Sequence, residues 1–153
     1  MKHLLRLLLT LLLAPVVSAA GANFSGTWVM NPARGQNLGM MANLKLTATI
    51  EQTDKSLTST EVSSMQGQEQ RRVVTYDLTG KAVPNDGPMG DKSQTASRWD
   101  GNKLITTWTS EGAIAGTKVV RPETRSLSAD GRTMTVESVR GNRPPVVMVF
   151  EKK

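Results

Sequence analysis

The sequence predicts an all-β fold, a single antiparallel up-and-down (meander) barrel of about 8–10 strands. Three observations carry that expectation. Apolar and polar residues alternate with a period of two, most clearly where Leu44, Leu46, Ala48 and Ile50 interleave with Lys45, Thr47, Thr49 and Glu51. Short polar turns separate one alternating segment from the next. No stretch keeps an apolar period of 3.6 long enough to make a major helix.

The elements follow in order. A first strand is expected at 27–31, stopped by Pro32. Residues 33–43 hold two glycines and no period, so they read as a loop with one helical turn. Strands at 44–51 and 56–63 flank a polar turn at Thr53, Asp54 and Lys55. Further strands are expected at 70–78, 81–84, 94–99, 103–111, 117–127, 132–139 and 146–151. Between them stand Thr79-Gly80, Asp100-Gly101-Asn102 and Asp130-Gly131. Asp-Gly suits a hairpin because glycine accepts positive φ and aspartate bonds to its local backbone. Successive hairpins make sequence neighbours into spatial neighbours. A flat meander of that size exposes two edges, and closing it removes both. A two-sheet sandwich is the alternative arrangement.

The first twenty residues read as a sorting signal. Lys2, His3 and Arg6 give a positive start, 7–13 are apolar except for Thr10, and Pro15, Ser18, Ala19 and Ala20 follow. The apolar run is shorter than the roughly 20 residues a permanent membrane helix needs. No cysteine follows for a lipid anchor. The expected location is periplasmic or secreted, with residues 21–153 forming one domain, without an integral membrane segment and as a monomer.

Composition excludes several chemistries. The only histidine, His3, lies in the leading segment, and the chain has no cysteine. The expected domain therefore lacks Ser-His-Asp and Cys-His nucleophilic machinery, imidazole acid–base catalysis and the usual zinc ligands. The formal net charge of +6 falls to +4 without Lys2 and Arg6, too mild a bias for a nucleic-acid binder. Carboxylates alone could hydrolyse glycosides if two stood in a cleft. However, Asp54, Asp86, Asp91, Asp100 and Asp130 read as turn residues, and Glu51, Glu61 and Glu111 as strand-end or outward ones. No enzyme, cofactor or metal centre is expected. Asn85, Asp86 and Asp91 offer hard oxygens, but a turn-capping role suits them better than calcium.

The start Asn23-Phe24-Ser25-Gly26-Thr27-Trp28 places a Gly-x-Trp at the head of the first strand. In a chain of this length and strand order it resembles the lipocalin and fatty-acid-binding barrels, the calycin group. More closely, the chain is similar to uncharacterised exported bacterial proteins with lipocalin-like barrels. The shared features are FSGTW, the loop Gly87-Pro88-Met89-Gly90, the RWDG turn ending at Gly101, and the hairpin from Ser126 to Thr133. The resemblance covers nearly all of residues 23–151. It implies that Trp28 plugs the closed end beneath a basic residue from a late strand, with Arg125 and Arg140 as candidates. The Arg-x-Tyr carboxylate clamp of fatty-acid binders is absent near the C-terminus, so the resemblance implies no particular ligand.

Three groups of residues are candidates for a ligand site. If Leu127 faces inward, alternation sends Arg125, Glu123 and Arg121 inward too. That row could hold a carboxylate or phosphate through bidentate contacts. The plainer reading is that Pro122 marks a bulge, flips the register and turns the arginines to solvent. Trp28 and Trp108 could form a ligand-contacting wall, although barrel core is the simpler role in a chain so poor in large apolar residues. Met40 and Met41, in the loop after the first strand, suit either an adaptable lid or a loop anchor. Two functions remain in view. One is a non-catalytic carrier of a small amphipathic or hydrophobic ligand, anionic ones included. The other is a filled barrel acting through an outer basic surface that includes Arg71, Arg72, Arg140, Arg143, Lys152 and Lys153. Interior volume separates the two.

Overall fold

Ten strands form where the alternation places them. A computed structural model describes residues 21–87 and 90–153; the expected sorting signal, Pro88 and Met89 lie outside the described residues. The strands are β1 (Gly26–Met30), β2 (Lys45–Gln52), β3 (Ser56–Met65), β4 (Gln68–Asp77), β5 (Val83–Asp86), β6 (Lys92–Asp100), β7 (Lys103–Glu111), β8 (Lys118–Leu127), β9 (Thr133–Ser138) and β10 (Val146–Lys152). They make one antiparallel sheet in the order β4-β3-β2-β1-β10-β9-β8-β7-β6-β5. The first and last strands pair, with Trp28 opposite Lys152 and Met30 opposite Phe150.

β5 begins two residues later than the sequence suggests, and that shift bears on closure. β4 and β5 meet at the two ends of the sheet but share no backbone ladder. The expectation that closure removes both edges is thus corrected: side chains complete the ring. The Thr75 amide donates to Asn85 Oδ1 at 2.9 Å, and Asn85 Nδ2 donates to the Thr75 carbonyl at 2.7 Å. One carboxamide supplies the donor and acceptor that a neighbouring peptide would have offered. Asn85 Nδ2 also reaches Thr95 Oγ1 at 2.7 Å, and Arg72 Nη1 reaches the Asp86 carbonyl at 3.3 Å. Pro84, which cannot donate to a ladder, sits in this short edge strand, where it does least harm.

The turns follow the sequence at Gly101 and Gly131, whose φ values are +56° and +68°. One hairpin has no Asn-Gly or Asp-Gly signal: Gln66 and Gly67 both take positive φ, +52° and +81°, the pattern of a type I′ turn. The loop after β1 holds two 3-10 turns, Pro32–Arg34 and Gly39–Asn43, rather than one helical turn. The Asn31 side chain caps the first by accepting from the Ala33 amide.

The barrel has a sealed end and an open end. At the sealed end Phe24 and Trp28 are fully buried. The Trp28 indole donates to the Phe24 carbonyl at 2.8 Å, and the Phe24 ring stacks on Trp99 at 6.1 Å between centroids. The Gln52 carboxamide ties the incoming chain down: it accepts from the Phe24 amide and donates to the Ala22 carbonyl, each at 2.9 Å. Gly21 lies against the Trp99 indole, where a Cβ would collide with the ring. The cation over Trp28 is Lys152, with Nζ 5.3 Å from the ring centroid. This corrects the Arg125 or Arg140 expectation, because register puts Lys152 directly opposite Trp28. Loops from alternate hairpins gather at the other end and leave a mouth.

Candidate functional site

The inward residues of the barrel divide by side. From β2, β9 and β10 come Ala48, Ile50, Met134, Val136, Met148 and Phe150, an apolar wall. From β3, β4, β7 and β8 come Ser59, Glu61, Arg72, Tyr76, Trp108 and the row Arg121, Glu123 and Arg125. Between the walls lies a cavity of about 910 Å³, within the size range of small-molecule sites.

The arginine row faces inward because Pro122 makes no bulge. β7 and β8 pair without interruption from Leu104–Arg125 to Glu111–Lys118, with Thr107 opposite Pro122. The Pro122 carbonyl accepts from the Val139 amide at 3.0 Å. A residue's N and C=O point to the same side of an antiparallel strand. The missing donor therefore faces the β9 side just past Ser138, where that strand has ended. The bulge expected from the sequence is corrected: a proline here leaves the β7–β8 ladder unbroken, and the donor it lacks falls on the β9 side beyond the last ladder pair.

Arg125 is only 5% exposed. Its Nη2 donates to Tyr76 Oη at 3.3 Å and to Glu123 Oε1 at 3.4 Å. Its guanidinium carbon lies 5.0 Å from the Tyr76 ring centroid and 6.0 Å from that of Phe24. Burial works against the charge, but Tyr76 and Glu123 outweigh it and the pKa is raised. Burial likewise raises Tyr76, and raises Glu123 against the opposing pull of Arg125. Nε and Nη1 of Arg125 meet no acceptor among the described residues.

Nearer the mouth, Trp108 stands opposite Arg121 in register, and the Arg121 guanidinium carbon lies 5.7 Å from the indole centroid. Arg121 Nη2 comes within 3.9 Å of Asp91 Oδ2, too far for a hydrogen bond. Burial lowers its pKa. Trp108 Nε1 favours the ionised form of nearby Glu123 without making a well-formed hydrogen bond. Trp108 also meets Tyr76 edge-on at 6.2 Å.

The sequence reading missed three of these residues. Glu61, expected to face outward, looks into the cavity opposite Arg72. Arg72, expected on the outer surface, donates to Glu61 Oε2 from Nη2 at 2.5 Å and from Nε at 3.2 Å. Tyr76 drew no functional expectation. The available signal was parity: Arg72 shares the inward face with Val74 and Tyr76, and Glu61 shares it with Leu57 and Ser59 on its strand. Among the expected site residues, the structure brings Trp108, Arg121, Glu123 and Arg125 together and sets Met40 and Met41 at the mouth. Met40 is 82% exposed. Trp28 lies below the cavity, not on its wall.

A second depression of about 560 Å³ opens on the outer face over the β4–β5 junction, lined by residues such as Val73, Pro84 and Lys118. It has no buried unpartnered side-chain atom among the described residues. All four such atoms belong to the interior cavity, which is therefore the candidate site.

Similar solved structures share the architecture. Human cRBP IV aligns with a TM-score of 0.66 and 19% identity over 86% of this chain and 99% of its own. The REP1-NXSQ fatty acid transporter aligns with a TM-score of 0.63 and 14% identity over 84% and 95%. Apo lipid binding protein 8 of Caenorhabditis elegans aligns with a TM-score of 0.66 and 12% identity over 85% and 95%. No family model and no curated protein sequence matches the chain. The chain thus has the all-β, ten-stranded, nearly closed barrel of the lipocalin and calycin type.

Proposed function

We propose that this barrel is a non-catalytic carrier of a small amphipathic molecule, working outside the cytoplasm once its leading segment is removed. The apolar wall holds the hydrophobic part, and an anionic group settles on Arg125 beside Tyr76. One observation carries the reading: Arg125, 5% exposed and on the wall of a cavity of about 910 Å³, keeps two donor nitrogens, Nε and Nη1, without a described acceptor. Buried donors left unmade cost about 1–3 kcal/mol each, so a ligand oxygen there regains what folding leaves unsatisfied. Apolar contact adds roughly 25 cal/mol per Å² buried. The names of two similar structures, a fatty acid transporter and a lipid binding protein, agree with a lipophilic ligand. The other reading, a filled barrel acting through its exterior, sits poorly with so large an interior space.

Native mass spectrometry of protein purified from its own host, combined with thermal shift across long-chain acids, tests this. A co-purifying small molecule, or a Tm rising with added fatty acid, is the expected outcome. Bare protein in repeated preparations together with a flat shift across the series overturns it.

A further inference from the structure

The unmade donors fall into two groups rather than one. Arg125 lies toward the sealed end, near enough to Phe24 for its guanidinium to sit 6.0 Å from that ring. Arg121 and Trp108 lie toward the mouth, where Arg121 approaches Asp91 of the β5–β6 loop. Arg121 and Arg125 are four residues apart on one face of β8, so their backbones are separated by ~13 Å along the strand. Glu123 lies between them on that face and is held by Arg125, while the Trp108 ring stands beside Arg121 and the Tyr76 ring beside Arg125. Each group leaves buried N–H without a described acceptor: Nε and Nη1 of Arg125 in one, Nη2 of Arg121 and Nε1 of Trp108 in the other.

A fatty acid has one polar end and satisfies one group, leaving the other sealed beneath its tail. That arrangement penalises such a ligand, because burying a donor without a partner is costly. The facing wall offers Ala48, Ile50, Val136 and Met148 to the gap, with Ser138 and Arg140 joining the lining nearer the mouth.

Resting on the carrier reading above, we propose that the ligand is two-headed: a chain with an oxygen acid deep on Arg125 and a second oxygen acceptor at Arg121 and Trp108. A span of ~13 Å suits a chain of roughly ten carbons. An α,ω-dicarboxylate meets both guanidinium groups with charge-assisted bonds, and an ω-hydroxy acid satisfies the mouth group more weakly.

Isothermal titration with dodecanoate, 12-hydroxydodecanoate and dodecanedioate tests this on the wild-type protein. The dicarboxylate is expected to bind at least about tenfold more tightly than the monocarboxylate, with the hydroxy acid between them. Arg121→Met should bring that ratio towards one. Trp108→Phe, which keeps an aromatic ring though a smaller one and removes the N–H, should lower it to a smaller degree. If dodecanoate binds as tightly as the dicarboxylate, the two-headed ligand is wrong and the carrier reading stands. If no chain binds at all, both fall.

Discussion

Glu123 is the interior residue whose behaviour is most directly measurable. Burial raises its pKa, with Arg125 pulling the other way. A raised acid holds its proton more tightly folded than unfolded, so its contribution to stability is greatest below the ordinary carboxyl pKa and is lost as pH rises towards the raised value. Removing the titration with Glu123→Gln should remove that decline. The difference in Tm, wild type minus variant, is expected to fall as pH goes from about 4 to 7. Parallel Tm curves for the two proteins would contradict the assignment. The inward direction of this residue was legible from alternation counted back from Leu127. What obscured it was Pro122, since proline composition alone cannot say on which side of a strand the missing donor falls. Glu61 and Arg72 were hidden by charge: each reads as a surface residue until the partner strand brings them opposite one another.

At the scale of elements, the strands were legible where one face is buried, because burial writes a period of two into the sequence. β5 was shifted, and its short length gave the pattern little room. The Gln66-Gly67 hairpin went unread because glutamine rarely marks positive φ. The junction between β4 and β5 was also illegible, since nothing in a linear pattern distinguishes a carboxamide that substitutes for a peptide from one that caps a turn. Asn85→Ala should therefore cost about 0.5–1.5 kcal/mol, the net worth of an ordinary hydrogen bond, because water reaches the freed groups of exposed Thr75. Hydrogen exchange should localise the loss, with the Thr75 amide exchanging faster while amides across the β9–β10 ladder keep their rates. Unchanged exchange at Thr75 would mean that the junction is held by other contacts.

For the molecule as a whole, the division into a sealed pole and an open one matters most. Trp28, Phe24 and Trp99 close one pole, and the cavity begins above them. The FSGTW start made the plug legible, but it could not identify Lys152 as its cation, because the pairing of first and last strands is a long-range fact. Stability and binding should accordingly separate. Trp28→Ala is expected to cost about 3–5 kcal/mol in denaturant unfolding, yet to leave the affinity for dodecanoate within about twofold, since Trp28 is absent from the cavity wall. A large loss of affinity in a still-folded variant would place the plug in the site after all.

The tie between Gln52 and the backbone of Ala22 and Phe24 also settles a matter of orientation. The described chain thus begins at the plugged pole, at the end of the barrel opposite the opening. A bulky group attached at Gly21 would therefore stand clear of the mouth.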